Sequence, residues 1–146
     1  MIVQQDPYLK PLIQKFGCYY MCILFIVNRH TRKGFDRKVI NDLYDFFIGL
    51  DWMEKDCYVK HPVEIFNYLG FPVSSIRVEG RDYICDDDEI EILRFERSYE
   101  RAGVVITYGH FVCGNGCGVV TYDPSGISNA VRLGYLESKR IFSIGG

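Results

Sequence analysis

An α+β domain, with helices in the first half and an antiparallel sheet in the second, is the architecture this sequence predicts. Three observations carry it. Apolar residues recur at helical spacing up to Gly70, short β-type runs broken by glycine follow Pro72, and no Pro/Gly/Ser linker divides the two halves. With 146 residues, 48% of them hydrophobic and 25% charged, the chain fits one globular domain over 1–146 and is too apolar for a disordered one.

Taken in order, residues 16–28 are apolar nearly all round, as expected of a helix buried at the centre of a domain. Residues 35–50 begin after Gly34 and place Val39, Leu43, Phe46, Phe47 and Leu50 at helical spacing, with Asp36 in the first turn and Gly49 near the end. Residues 61–70 form a short third helix, Pro62 near its start and Gly70 just past its end. Residues 72–78 read as a strand and 83–85 as another short piece. The stretch 86–100 carries acids first and Arg94 and Arg97 later, which predicts a helix aligned with its macrodipole. Strands are then expected at 104–108, 111–113 and 118–122, with Gly114-Asn115-Gly116 turning a hairpin. Residues 131–136 and 140–144 would close the sheet.

Composition also narrows the function. The net charge of −2, without a long run of one sign, argues against a nucleic-acid or membrane-surface binder, because both need a concentrated basic face. The longest apolar run, 16–27, falls short of the about 20 residues that span a bilayer. The start lacks the basic and apolar regions of a signal peptide, so a cytoplasmic location with six reduced cysteines is expected, release by lysis or another route staying open. Aromatics make up 15%, and eleven tyrosines suit a groove whose walls carry hydroxyls.

Three residues stand out chemically. Cys18, after Gly17, opens the buried helix, where the positive end of the dipole and unpaired N–H groups favour a negative sulfur; the plain alternative is a small core residue. His110 alone of the three histidines is flanked by apolar strand residues, the setting of a general base or of a satisfied core imidazole. His30 reads as a solvated helix end beside Arg29, and His61 as a helix start. Asp123, in Asp123-Pro124-Ser125-Gly126, would meet His110 at the ends of one hairpin and fix its tautomer, or would simply make a turn.

In chain order, Gln4-Gln5-Asp6-Pro7, Gly17-Cys18, Gly109-His110-Phe111-Val112 and Asp123-Pro124 resemble the papain-like cysteine peptidases. The likeness is to the branch of the bacteriocin-leader (double-glycine) peptidases and their small bacterial and phage relatives, and it spans nearly the whole chain. It implies a papain-like fold and a thiol hydrolase acting on a peptide or amide bond. Cys18 would be the nucleophile, His110 the general base and later acid, and Asp123 the residue orienting the imidazole. Gln4, with Gln5 and Gln14 as competitors, would form the oxyanion hole together with the Cys18 N–H. The substrate would be a peptide or peptide-like molecule, with no cofactor and no metal. Two departures are Tyr19-Tyr20, where such relatives carry small residues, and the second thiol Cys113 soon after His110.

Other readings compete. Cys18, Cys22, Cys113 and Cys117 would supply four thiolates for zinc, although structural zinc sites favour tighter pairs on turns. A catalytically inactive papain-like binding module would keep the fold without the reaction. The acidic run 86–89 invites a calcium ion or a basic partner, but without alternating oxygen ligands it reads better as a solvated helix start.

Overall fold

The computed structural model describes residues 1–145. Four helices come first: α1 (Pro11–Phe16), α2 (Cys18–Thr31), α3 (Arg37–Gly49) and α4 (Pro62–Tyr68). The sheet strands follow as β1 (Val73–Gly80), β2 (Glu89–Arg101), β3 (Val104–Gly114), β4 (Val120–Tyr122) and β5 (Tyr135–Ile144), with the short helix α5 (Asn129–Leu133) before the last. The five strands make one antiparallel sheet ordered β1-β5-β2-β3-β4. The chain is therefore α+β. Among the described residues no helix is long and apolar enough to cross a membrane.

The all-round apolar character of α2 is explained by where it lies. Tyr20, Met21, Cys22, Ile23 and Leu24 are fully buried, and α2 packs against β3 on one side and α4 on another. Burying each large side chain of this kind stabilises the fold by roughly 1.5–3 kcal/mol. One core joins the helices to Ile92, Cys113 and Phe142 of the sheet. Asp36 caps α3 by accepting from the Val39 N–H, and Gly70, at φ +89°, follows α4 as its pattern predicts.

The helix expected over 86–100 is a strand. Its charge order mimics a helix dipole, but the residues alternate, with Ile90 and Ile92 on one face and Glu91 and Leu93 on the other. β3 and β5 flank it and take its backbone bonds, and Arg94 bonds Glu96 and Glu137 rather than a helix end. The acidic run before it is a turn in which Glu89 accepts from the Asp86 N–H.

Three smaller corrections follow from local bonding. Residues 104–114 form one strand, with His110 inside it and not between two runs. The strand expected at 131–136 is α5 followed by the start of β5, because Ser128 caps the helix through Val131 N–H. Gly134 ends it where a Cβ would lie 2.3 Å from Glu96 O. Residues 83–85 are a loop whose groups are taken elsewhere, Tyr83 O by Lys139 and the Cys85 N–H by Gly116 O.

Candidate active site

Cys18 is the first residue of α2. Gly17 ends α1 by donating to Ile13 O at 2.8 Å, and no side chain caps the new helix. A Cβ at Gly17 would sit 2.5 Å from Ile13 O, so only glycine permits the sharp join that starts α2 at the cysteine. The N–H groups of the first turn are thus left for another acceptor.

His110 comes from β3 and is 8% exposed. Its Nε2 lies 2.7 Å from Asp123 Oδ1. With Nε2–H donating to the carboxylate, Nδ1 is left for a second partner, and Cys18 is near enough to raise the His110 pKa. Burial pulls the His110 pKa down, but the Asp123 bond and then Cys18 outweigh it and raise the value to about 9. Asp123 is held below its ordinary value; burial opposes this, while His110 and the N–H groups of Ser125 and Ser128 favour the carboxylate. Asp123 is therefore both the turn residue and the imidazole's partner.

This raised value sets a pH dependence of stability. Folded His110 holds its proton more tightly than the unfolded side chain at about 6.5, so its contribution is complete below that pH and is lost as pH rises through about 9. The loss expected is about 3 kcal/mol at 1.36 kcal/mol per unit. Urea midpoints between about pH 6 and pH 10 measure it, and an equal drop in His110→Gln would contradict the assignment.

The glutamines separate clearly. Gln4 is 3% exposed, its N–H donates to Pro124 O at 2.7 Å, and its Nε2 donates to Gln14 O at 3.1 Å. This straps the N-terminal segment onto the Asp123-Pro124 turn and onto the residues leading to Cys18. Its Oε1 is buried without a protein partner. Gln5 is exposed and reaches Ser125 Oγ, and Gln14 donates to Leu9 O. Asp6 is buried against Arg37 and fixes the same segment to α3.

The family described as "Protein of unknown function, DUF261" matches residues 1–144. The chain belongs to this DUF261 family. No curated protein and no solved structure matches it.

In this DUF261 chain Cys18 lines a groove of about 590 Å³ together with Gly109 and Phe111 of β3 and Ile76 and Val78 of β1. The two tyrosines after Cys18 do different work. Tyr20 is fully buried and donates to Ile40 O at 2.8 Å, whereas Tyr19 meets Phe111 edge-on at 4.6 Å and floors the groove. Cys113 is a packing residue whose thiol donates to Cys22 O at 3.5 Å. Cys22 is fully buried, which pushes its thiol up, and Cys117 is exposed. Among the described residues no group of three or more His, Cys, Asp or Glu is placed to hold a metal, so the four-thiolate zinc alternative does not assemble. Sequence reasoning singled out Tyr19-Tyr20 as bulky residues that would narrow the groove, but missed Phe111 as the ring that Tyr19 meets there and the two serine N–H groups that steady Asp123. The serine of Asp-Pro-Ser was a visible turn signal; the aromatic pair, drawn from α2 and β3, had none.

Proposed function

We propose that this chain is a thiol hydrolase of papain-like architecture that cleaves a peptide or amide bond. The observation that carries it is the imidazole of His110, bonded through Nε2 to Asp123 and close enough for its pKa to be raised by Cys18, a cysteine at a helix N-terminus in an open groove. The Cys18 sulfur attacks with the proton that it shares with His110 resting on the imidazole. It adds to the carbonyl carbon, and the carbonyl oxygen takes the negative charge. The Cys18 N–H and the second amide N–H of Gln4 are the donors offered to that oxygen. As the C–N bond breaks, imidazolium gives its proton to the departing amine, and the thioester forms. His110, now neutral, takes a proton from water, which hydrolyses the thioester and frees Cys18. β1 is an edge strand with no second strand partner among the described residues, and Ile76, Arg77 and Val78 line the groove; this supports an extended peptide as substrate.

Alkylation tests the reading. Iodoacetamide at about pH 6 is expected to label Cys18 first among the six thiols. His110→Ala should slow labelling of Cys18 and leave exposed Cys117 unchanged, an internal control. Buried Cys57 and half-buried Cys85, both raised to about 12 with burial the first cause, should stay silent. If Cys18 is no faster than Cys117 and indifferent to His110, the hydrolase reading fails and a non-catalytic binding module remains. An active-site thiol probe compared across wild type, Cys18→Ala and His110→Ala gives the same decision.

A further inference from the structure

The groove carries three basic side chains: Lys60, Arg77 and Arg140. Two are neutralised. Lys60 is paired with Asp51 at 2.9 Å, and Arg77 with Glu79 and Glu89 at 2.8 and 2.6 Å. Arg140 has no carboxylate partner among the described residues. Glu137 is near enough to feel its charge but bonds to Ser138 and Arg94 instead. Asp56, also in the groove, accepts the Tyr58 N–H.

Arg140 is nevertheless held in place. Its guanidinium lies 5.4 Å over the Phe111 ring, and one of its N–H donors is taken by Ser138 Oγ at 2.8 Å. Phe111 in turn meets Tyr19, the residue next to Cys18. These contacts run from Tyr19 through Phe111 to Arg140 on β5, and among the described residues Ser138 is the one side-chain acceptor of the guanidinium, which lines the groove. A planar, pre-oriented guanidinium on an apolar floor is suited to a carboxylate, which it can bind through two parallel bonds.

We infer that Arg140 is a specificity-determining residue and that the groove takes peptides bearing a carboxylate close to the bond presented to Cys18. This rests on the hydrolase reading of the same groove for its chemistry, but not for its binding. The carboxylate comes either from an acidic side chain or from a free C-terminus, and both offer the guanidinium the same two oxygens.

Binding to the Cys18→Ala variant tests it without turnover. One comparison uses pools of amidated peptides with Glu or Gln at a fixed central position. A second uses the Gln pool with free or amidated C-termini. The charged member of one comparison is expected to bind about tenfold tighter, less so at high salt. Arg140→Gln in the same background, which keeps the first three side-chain carbons and removes the charge, should abolish the difference, and Arg140→Lys should retain part of it. Thermal midpoints of the variants verify that the fold persists. Equal binding in both comparisons, no binding of any pool, or a preference that survives Arg140→Gln overturns the inference. The two readings fail separately: a carboxylate preference with a sluggish Cys18 removes only the hydrolase, and a fast Cys18 with no preference removes only Arg140's role.

Discussion

Asp123→Asn is expected to lower the titration midpoint of His110 from about 9 by one to two units. A hydrogen bond to a charged group contributes about 1.5–3 kcal/mol, and each pKa unit corresponds to about 1.36 kcal/mol. Asn keeps one oxygen, which at the Oδ1 position still accepts from Ser125 N–H and His110 while the Ser128 N–H loses its acceptor, and the charge that stabilises imidazolium is gone. NMR titration of the ring carbon-bound protons reads the midpoint directly. Any turnover should fall steeply with it, since an equivalent change in a serine triad costs about 10⁴ in kcat by favouring the wrong tautomer. Cys18→Ala should lower the midpoint as well, because the thiol is the next contributor to the raised value. An unmoved midpoint in Asp123→Asn would mean that the His110–Asp123 bond does not form in solution.

Glu91→Ala is expected to destabilise the fold by about 3–5 kcal/mol, the range for removing one partner of a buried ion pair. Glu91 and Lys139 are each 1% exposed and lie 3.0 Å apart. The other carboxylate oxygen accepts the N–H groups of Gly116 and Gly118, both at 2.9 Å, and Lys139 also donates to Tyr83 O at 2.6 Å. One ion pair therefore pins the loop after β3 and the loop before β2. Removing the carboxylate leaves a buried ammonium without its counter-ion and two amides without acceptors, out of a total stability of about 5–15 kcal/mol for a domain. Adding Lys139→Met should restore part of the loss by removing the stranded charge. Urea unfolding of the wild type and the two variants measures this, and a loss below about 1 kcal/mol for Glu91→Ala would show that the pair acts like an exposed one.

The strength of reading the residues in order shows best at Cys18. A glycine before it, an apolar run after it and a histidine flanked by strand residues far along the chain are local facts, and each survives in the structure as the head of α2 and the interior of β3. Gln4 was harder to choose over Gln5 and Gln14, because all three are short-range neighbours of the same segment. Burial separates them: Gln4 lies beneath the Pro124 turn, a contact across the length of the chain. The stretch 86–100 failed for the complementary reason. Its charge order satisfied a helix by local rules, and only the partners on both sides made it β2.

What the sequence by itself determined is therefore whatever local chemistry controls: the helical first half, Gly70 past the end of α4, the glycine-permitted start of α2, and the candidate trio Cys18, His110 and Asp123. What only the tertiary structure decided is whatever depends on distant segments meeting. The His110–Asp123 bond and its tautomer, the burial of the Glu91–Lys139 pair, and the unpaired Arg140 on its Phe111–Tyr19 stack belong here. The physical reason is that charge and hydrogen-bond partners are set by distances of a few ångströms in space. Residues separated by tens of positions reach those distances only once the sheet register is fixed.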